Sequence, residues 1–436
     1  MSMNNSARAK VVTAAGTGIN LALGVLYTWS IFKAEIRRSI EDGGAGGFDW
    51  DLASLNDPYA VCCLVFACMM ILAGRFQDSF GPGKTAAIGG ALVGIGFIWI
   101  SQTTSYMSWI LGFGLFVGTG IAFGYSSATP PALKWHAPTK TGLIAGIVVS
   151  GFGLAAVYIA PLATYLLNRI GLQQAMLVFG IAFFIVVSLL STFLKNPPEG
   201  YVAEDFSERR GLCAVSREAR GAIRDGDVPP LKVIKSLAFW ELWVLYFIGA
   251  GAGLMVIGSV AGMAKNSLGE NAFWAVAILA VGNAGGRLVA GVLSDRIGRR
   301  STLAAIFLLQ AAMMFLAIRI IGAGAASPVL LVFIATFIGF NYGASLALFP
   351  SFAKDMWGMK NFGVNYGLLF TAWGAGGFLM SRASQTLIAD RGSFTSSFLA
   401  AGLMLLVGTG ITFMVRDEKD AARREVARRM AAKVVR

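Results

Sequence analysis

"VGNAGGRLVAGVLSDRIGRR", residues 281–300, is the stretch on which the fold and the chemistry both turn. It opens as an apolar, glycine-rich helix and closes as a basic turn, yet Arg287 stands in its interior, about two helical turns before the chain becomes polar. A guanidinium keeps its proton at every working pH, so its charge must be met wherever the helix places it. What meets it is the clue to function.

The 436 residues are 56% hydrophobic and only 14% charged, too apolar for a soluble chain of this size. A helix needs about 20 apolar residues to cross a hydrocarbon core of about 30 Å, and stretches of that length recur from end to end. Twelve spans are expected, near 11–33, 58–74, 85–101, 109–132, 143–166, 175–194, 237–263, 272–293, 301–321, 328–350, 366–388 and 393–415. The expected fold class is an all-α membrane protein. The run from Val11 is too long for a signal-peptide core and reaches the next loop without a small-residue cleavage site, so it counts as the first span.

With the amino terminus inside, the inner segments carry 27 lysines and arginines, the outer ones carry 8, and Arg287 alone lies within a span. This bias places both termini in the cytoplasm of a cell and the chain in its inner membrane. The net charge of +13 is mostly that topology signal, and nucleic acid is not expected as a partner. The basic tail 417–436 reads as a solvated or lipid-surface helix. Cys62, Cys63 and Cys68 fall in the second span and Cys213 in the central loop, without disulfide or metal spacing, which leaves free thiols.

A polar stretch of mixed charge with paired prolines at both ends, 196–235, separates residues 1–195 from 236–416. It reads as a cytoplasmic linker between two six-helix halves. The halves repeat. "GRFQDSFGPGK" (74–84) and "GVLSDRIGRRS" (291–301) share glycine, aspartate and glycine, and "IAFGY" (121–125) matches "IGFNY" (338–342). Asp78 to Asp295 and Tyr125 to Tyr342 are both 217 residues, and two coincidences at one offset argue for duplication. Six spans per half keep the membrane orientation, so a cavity is expected between the halves.

Gly291, Asp295, Arg296, Gly298, Arg299 and Arg300 spell G-x-x-x-D-R-x-G-R-R. This resembles the cytoplasmic loop signature of the major facilitator superfamily, found after the second and eighth helices. The first copy keeps Gly74, Asp78, Gly81 and Lys84 but has Ser79 and Gly83 in place of basic residues. The expected role is gating: the glycines permit close helix packing, and each aspartate accepts hydrogen bonds from a neighbouring helix N-terminus to latch the inner side.

An ionisable residue inside a span is by default functional. All 23 acids fall in loops, tails or helix ends, with Glu241 nearest to an exception, so Arg287 has no buried carboxylate to pair with. The inner interface lies ~9 Å away at ~1.5 Å per residue, within snorkelling range. The eighth span, however, enters from outside, and side chains tilt toward a helix N-terminus, which aims Arg287 at the midplane. Asn283, one turn earlier, is placed to share a ligand with it, and Gly282, Gly285, Gly286 and Gly291 are expected to clear room around both. Tyr125, Arg287 and Tyr342 fall 16, 15 and 14 residues after Trp109, Ala272 and Pro328, at about one depth. Tyr27 and Tyr158 are further candidates. The missing anion then comes from solution, and a small carboxylate matches the planar fork of the arginine.

Five stretches, "LGVLYTWSIF" (23–32), "GYSSATPPALKWHAP" (124–138), "GFGLAAVYIAPLATYL" (151–166), "GNAGGRLVAG" (282–291) and "NYGLLFTAWG" (365–374), together resemble the oxalate:formate antiporter family and its bacterial monocarboxylate-transporter relatives. The resemblance implies a cation for each carboxylate of oxalate, the arginine of the eighth helix and a lysine of the eleventh. Trp373 stands at the position of that lysine, which favours a monocarboxylate such as lactate, pyruvate or a related 2-hydroxy or 2-oxo acid. In animal-type lactate carriers the resemblance implies an acid where this chain has Asn283, and its absence leaves the proton route unassigned: the substrate brings its proton, a helix-end acid such as Glu35, Asp57 or Glu241 relays it, or the carrier exchanges one anion for another.

The function expected from these residues is secondary active transport of small monocarboxylates by alternating access, coupled to protons, by a monomer with no cofactor. Oxalate:formate-type anion exchange and carboxylate sensing are the alternatives. Enzyme chemistry is not expected, since the sole histidine, His136, sits in a short cytoplasmic loop.

Overall fold

The computed structural model of the chain describes residues 4–43, 47–201, 203, 227–268, 272–322, 328–391 and 395–415. Among these, all regular structure is helical, in twelve long limbs. They are α1 (Asn5–Asp42), α2 (Asp57–Phe80), α3 (Pro82–Ile100), α4 (Tyr106–Trp135), α5 and α6 (the two limbs of Thr141–Ser191), α7 (Leu237–Leu268), α8 (Ala272–Ile297), α9 (Arg299–Gly322), α10 (Pro328–Trp357), α11 (Phe362–Arg391) and α12 (Thr395–Thr412). Limbs α5 and α6 are parted where Gly171 leaves the helical region at φ 74°. Eight helical stretches among the described residues are long and apolar enough to cross a membrane. The first six limbs form one half and the last six the other, joined mainly by α5 against α8 and α2 against α11.

The helices outrun the apolar windows that mark them in the sequence. α1 continues to Asp42 through a tighter 3-10 turn at Gly24–Thr28, and α10 runs through Pro350 to Trp357. The extra turns carry charged residues such as Glu35, Arg37, Lys354 and Asp355, so hydropathy does not register them. α4 begins with a wide π segment, Ile110–Val117, which no periodicity in the sequence announces. Cys62, Cys63 and Cys68 are free thiols. Cys213, most of the 196–235 stretch and the tail 417–436 lie outside the described residues.

The repeated motif builds the same joint twice. At Gly74 a side chain would strike the backbone of Gly363, and at Gly291 that of Gly142. One turn on, Asp78 accepts hydrogen bonds from the N–H groups of Gly363 and Val364, both at 3.1 Å. Asp295 accepts from Gly142 and Leu143, both at 2.8 Å. Each carboxylate thus meets the orphan donors and positive dipole end of a helix in the other half. Gly81 and Gly298 serve another purpose than packing: open space surrounds them, and their φ of 88° and 92° makes the turn into the next helix.

The glycines flanking Arg287 also differ from expectation. Gly282 faces the Thr336 carbonyl oxygen, which would lie 2.7 Å from a Cβ there, Gly286 faces the backbone of Phe340, and Gly291 faces α5. These three admit neighbouring helices and leave no room for a ligand; only Gly285 faces open space. Gly286→Ala should therefore lower the melting temperature in detergent by forcing α8 from α10. Gly285→Ala, one residue away, should leave it unchanged or raise it, since a helix-interior glycine costs roughly 0.5 to 1 kcal/mol relative to alanine. Equal effects in the two variants would contradict the close α8–α10 contact.

A buried guanidinium and its hydroxyl chain

Arg287 is wholly buried on α8. Its Nε donates to Asn283 Oδ1 at 2.9 Å, Nη1 to the Val149 carbonyl oxygen at 2.5 Å, and Nη2 to the Tyr27 hydroxyl at 3.4 Å. All three acceptors are neutral. Among the described residues these engage three of the five N–H groups that a guanidinium carries, and one donor on each terminal nitrogen remains. Asn283, read in the sequence as a partner of the ligand, is the partner of the arginine itself.

The polar contacts continue from Tyr27. Its hydroxyl lies 3.3 Å from that of Tyr342, and the indole Nε1 of Trp373 donates to the Tyr342 hydroxyl at 2.8 Å. One chain of groups therefore links α8, α1, α10 and α11. Tyr125 completes the wall with its ring, edge-on to Phe66 and Phe152 at 5.6 and 5.4 Å between centroids. The cavity bounded by Tyr27, Phe66, Tyr125, Arg287, Phe370 and Trp373 has about 10 Å³ open to the centre of a water-sized sphere, room for about one water molecule. Tyr158 stands apart: it is 39% exposed and donates to the Leu21 carbonyl oxygen at 3.1 Å.

Sequence reasoning missed the contribution of α5. Val149 takes part through its backbone, so its side chain carries no signal. Gly153 could have been found: a Cβ there would lie 3.1 Å from Asn283 Oδ1 and 3.3 Å from Arg287 Nε. Gly142 and Gly146 likewise face the α8 backbone, and glycines spaced by four and seven residues mark a helix face made for close approach.

At the basic end of the bundle, Arg299 pairs with Asp295 at 2.7 Å and with Asp355 of α10 at 3.1 Å. Arg300 caps the end of α12 by donating to the Thr412 and Phe413 carbonyl oxygens. Lys354 reaches the Leu133 carbonyl oxygen at 3.2 Å and the Thr141 hydroxyl at 3.0 Å. Arg296 and Lys84 are exposed. His136 lies in the short connection between α4 and α5, where burial, together with the Lys140 and Lys354 charges, lowers its pKa from the usual value against a backbone contact to Ala132. It belongs to this end and not to the cavity.

The profile of the Major Facilitator Superfamily matches residues 11–273 and again 242–435, and the chain belongs to that superfamily. It is a multi-pass membrane transporter. It is 26% identical to the oxalate:formate antiporter of Oxalobacter formigenes over 80% of this chain and 77% of the relative. It is 24% identical to apicoplast pyruvate carrier 1 of Toxoplasma gondii, over 86% of this chain and 83% of the carrier. The crystal structure of the superfamily transporter FucP in its outward conformation superposes with a TM-score of 0.64 at 14% identity, covering 94% of this chain and 99% of FucP.

The hydroxyl chain yields a direct test. Tyr342→Phe leaves the buried Trp373 indole N–H without its acceptor and should cost about 1 to 3 kcal/mol. Tyr27→Phe removes an acceptor from the buried guanidinium and should also destabilise, and the double variant should cost less than the sum, because both single changes break the shared contact. Melting curves of the four proteins in detergent measure the coupling; strict additivity would mean the two hydroxyls do not interact.

Proposed function

We propose that this transporter moves small monocarboxylates, of the size of lactate or pyruvate, across the inner membrane by alternating access and with protons. The observation that carries the proposal is the Arg287 site: a fixed cation, wholly buried, held among the described residues by neutral oxygens, with two donors remaining there. A monoanion neutralises that charge, and a carboxylate accepts the two donors in parallel. Tyr342 and Trp373 bound the site on the α10–α11 side. The names of the antiporter and pyruvate-carrier relatives point to small carboxylate anions.

On this reading the basic end is cytoplasmic, the blocks 1–195 and 236–416 rock against each other, and the Asp78 and Asp295 joints hold the cytoplasmic side closed. The cavity, with room for one water, takes an anion only after the helices part. The proton travels with the substrate or by a helix-end acid. Asp57, which accepts from the Tyr106 hydroxyl at 2.7 Å, and Glu35, which lines an outer-end cleft with Arg38 and Asp42, are the candidates nearest the far end. Exchange of one anion for another, favoured by the antiporter relative, is the second reading.

Arg287→Lys should abolish or greatly weaken labelled-lactate uptake into proteoliposomes while leaving the protein folded, because a point charge replaces a two-pronged donor. Uptake at wild-type affinity would remove Arg287 from the site. Unlabelled oxalate should compete at least about tenfold more weakly than lactate, a difference of ~1.4 kcal/mol, since its second carboxylate finds no cation. Trp373→Lys, which places an amine at the cavity wall, should shift that ratio toward oxalate. Strong oxalate competition in the wild type would promote the exchanger.

A further inference from the structure

Two further tyrosines lie beside the cavity. Tyr246 of α7 and Tyr366 of α11 are buried, and neither hydroxyl has a hydrogen-bond partner among the described residues. Unpaired buried hydroxyls are costly and rare, and phenylalanine at either place would fill the same space without the cost. The rings are held firmly. Tyr246 stacks on Phe349 with centroids 3.9 Å apart, and Tyr366 stacks on Phe362 at 5.7 Å. The Tyr366 hydroxyl lies close enough to those of Tyr246 and Tyr125 to interact with both, but without the geometry of a formed hydrogen bond.

Phe370 borders both these tyrosines and the arginine's cavity. On one side it stacks on Trp373 at 5.1 Å and borders the Arg287 cavity. On the other it meets Tyr246 and Tyr366 at 6.0 and 5.8 Å. Along α11, counted from Phe362 at its start, Tyr366, Phe370 and Trp373 lie ~6, ~12 and ~16 Å inward at ~1.5 Å per residue. The pair therefore sits between the cavity and the joint that Asp78 makes with Gly363 and Val364.

We propose that the Tyr246 and Tyr366 hydroxyls form a second, uncharged carboxylate site on the basic-end side of Phe370, which takes the anion from Arg287 on its way to the cytoplasm. The proposal rests on the transport function argued above. Each phenol donates to one carboxylate oxygen, so the two orphan donors and a bidentate acceptor match in number. A site without a cation binds weakly, as a release step requires, whereas a second arginine there would trap the anion.

The test uses the full-length protein with lactate as probe, comparing the wild type with Tyr246→Phe, Tyr366→Phe and the double variant. Equilibrium binding of labelled lactate to purified protein reports the Arg287 site, and maximal uptake in proteoliposomes reports passage. The double variant should bind lactate within about twofold of wild type while its maximal rate falls about fivefold or more, the pattern of a lost step and not of lost binding. A wild-type rate in the double variant overturns the second site. So does a rate loss matched by weaker binding, since the hydroxyls then serve the first site or the fold. Absence of lactate binding to the wild type overturns the monocarboxylate function itself, and this site with it.

Discussion

A guanidinium sealed inside an apolar bundle has to be met by oxygen atoms, and how this chain supplies them organises its centre. Asn283 comes from the same helix, Val149 from the backbone of α5 and Tyr27 from α1. Two of the three acceptors belong to the opposite half of the molecule, so the cation stitches the halves together at mid-depth. The Tyr342 and Trp373 contacts extend the stitch to α10 and α11. Neutral acceptors solvate the charge without cancelling it.

At the basic end the bundle uses a different device, carboxylates against helix N-termini, and uses it twice. The geometry is the same in both copies, but the surroundings are not. Asp295 shares Arg299 with Asp355, whereas Pro82 stands at the corresponding offset from Asp78. The Lys134 charge lies near Asp78 without forming such a bridge. Duplication preserved the glycines and the aspartate that make the joint and let the reinforcing cations diverge.

Much of this was legible because membrane burial turns chemistry into composition. Apolar runs gave the spans, and an arginine within one of them marked the buried guanidinium. The repeat offset correctly paired Asp78 with Asp295 as helix caps, since a two-atom carboxylate and a helix start are a local chemical match. Roles that depend on which neighbour a residue faces were not legible. Gly282, Gly286 and Gly291 read as space around the arginine and prove to be helix contacts. Tyr158 shares the phenol of Tyr27 but turns to the Leu21 carbonyl oxygen. Val149 acts through its main chain, which every residue possesses, and the Tyr246 and Tyr366 hydroxyls look in sequence like any aromatic packing.

Helix α5 is gripped by α8 at two points, its first turn by Asp295 and its Val149 carbonyl by Arg287, separated by ~10 Å along the axis at ~1.5 Å per residue. A ligand that draws the Nη1 donor away from Val149 competes with the upper grip. By reciprocity, whatever free energy the ligand takes from that seam, the closed seam takes from the ligand's affinity.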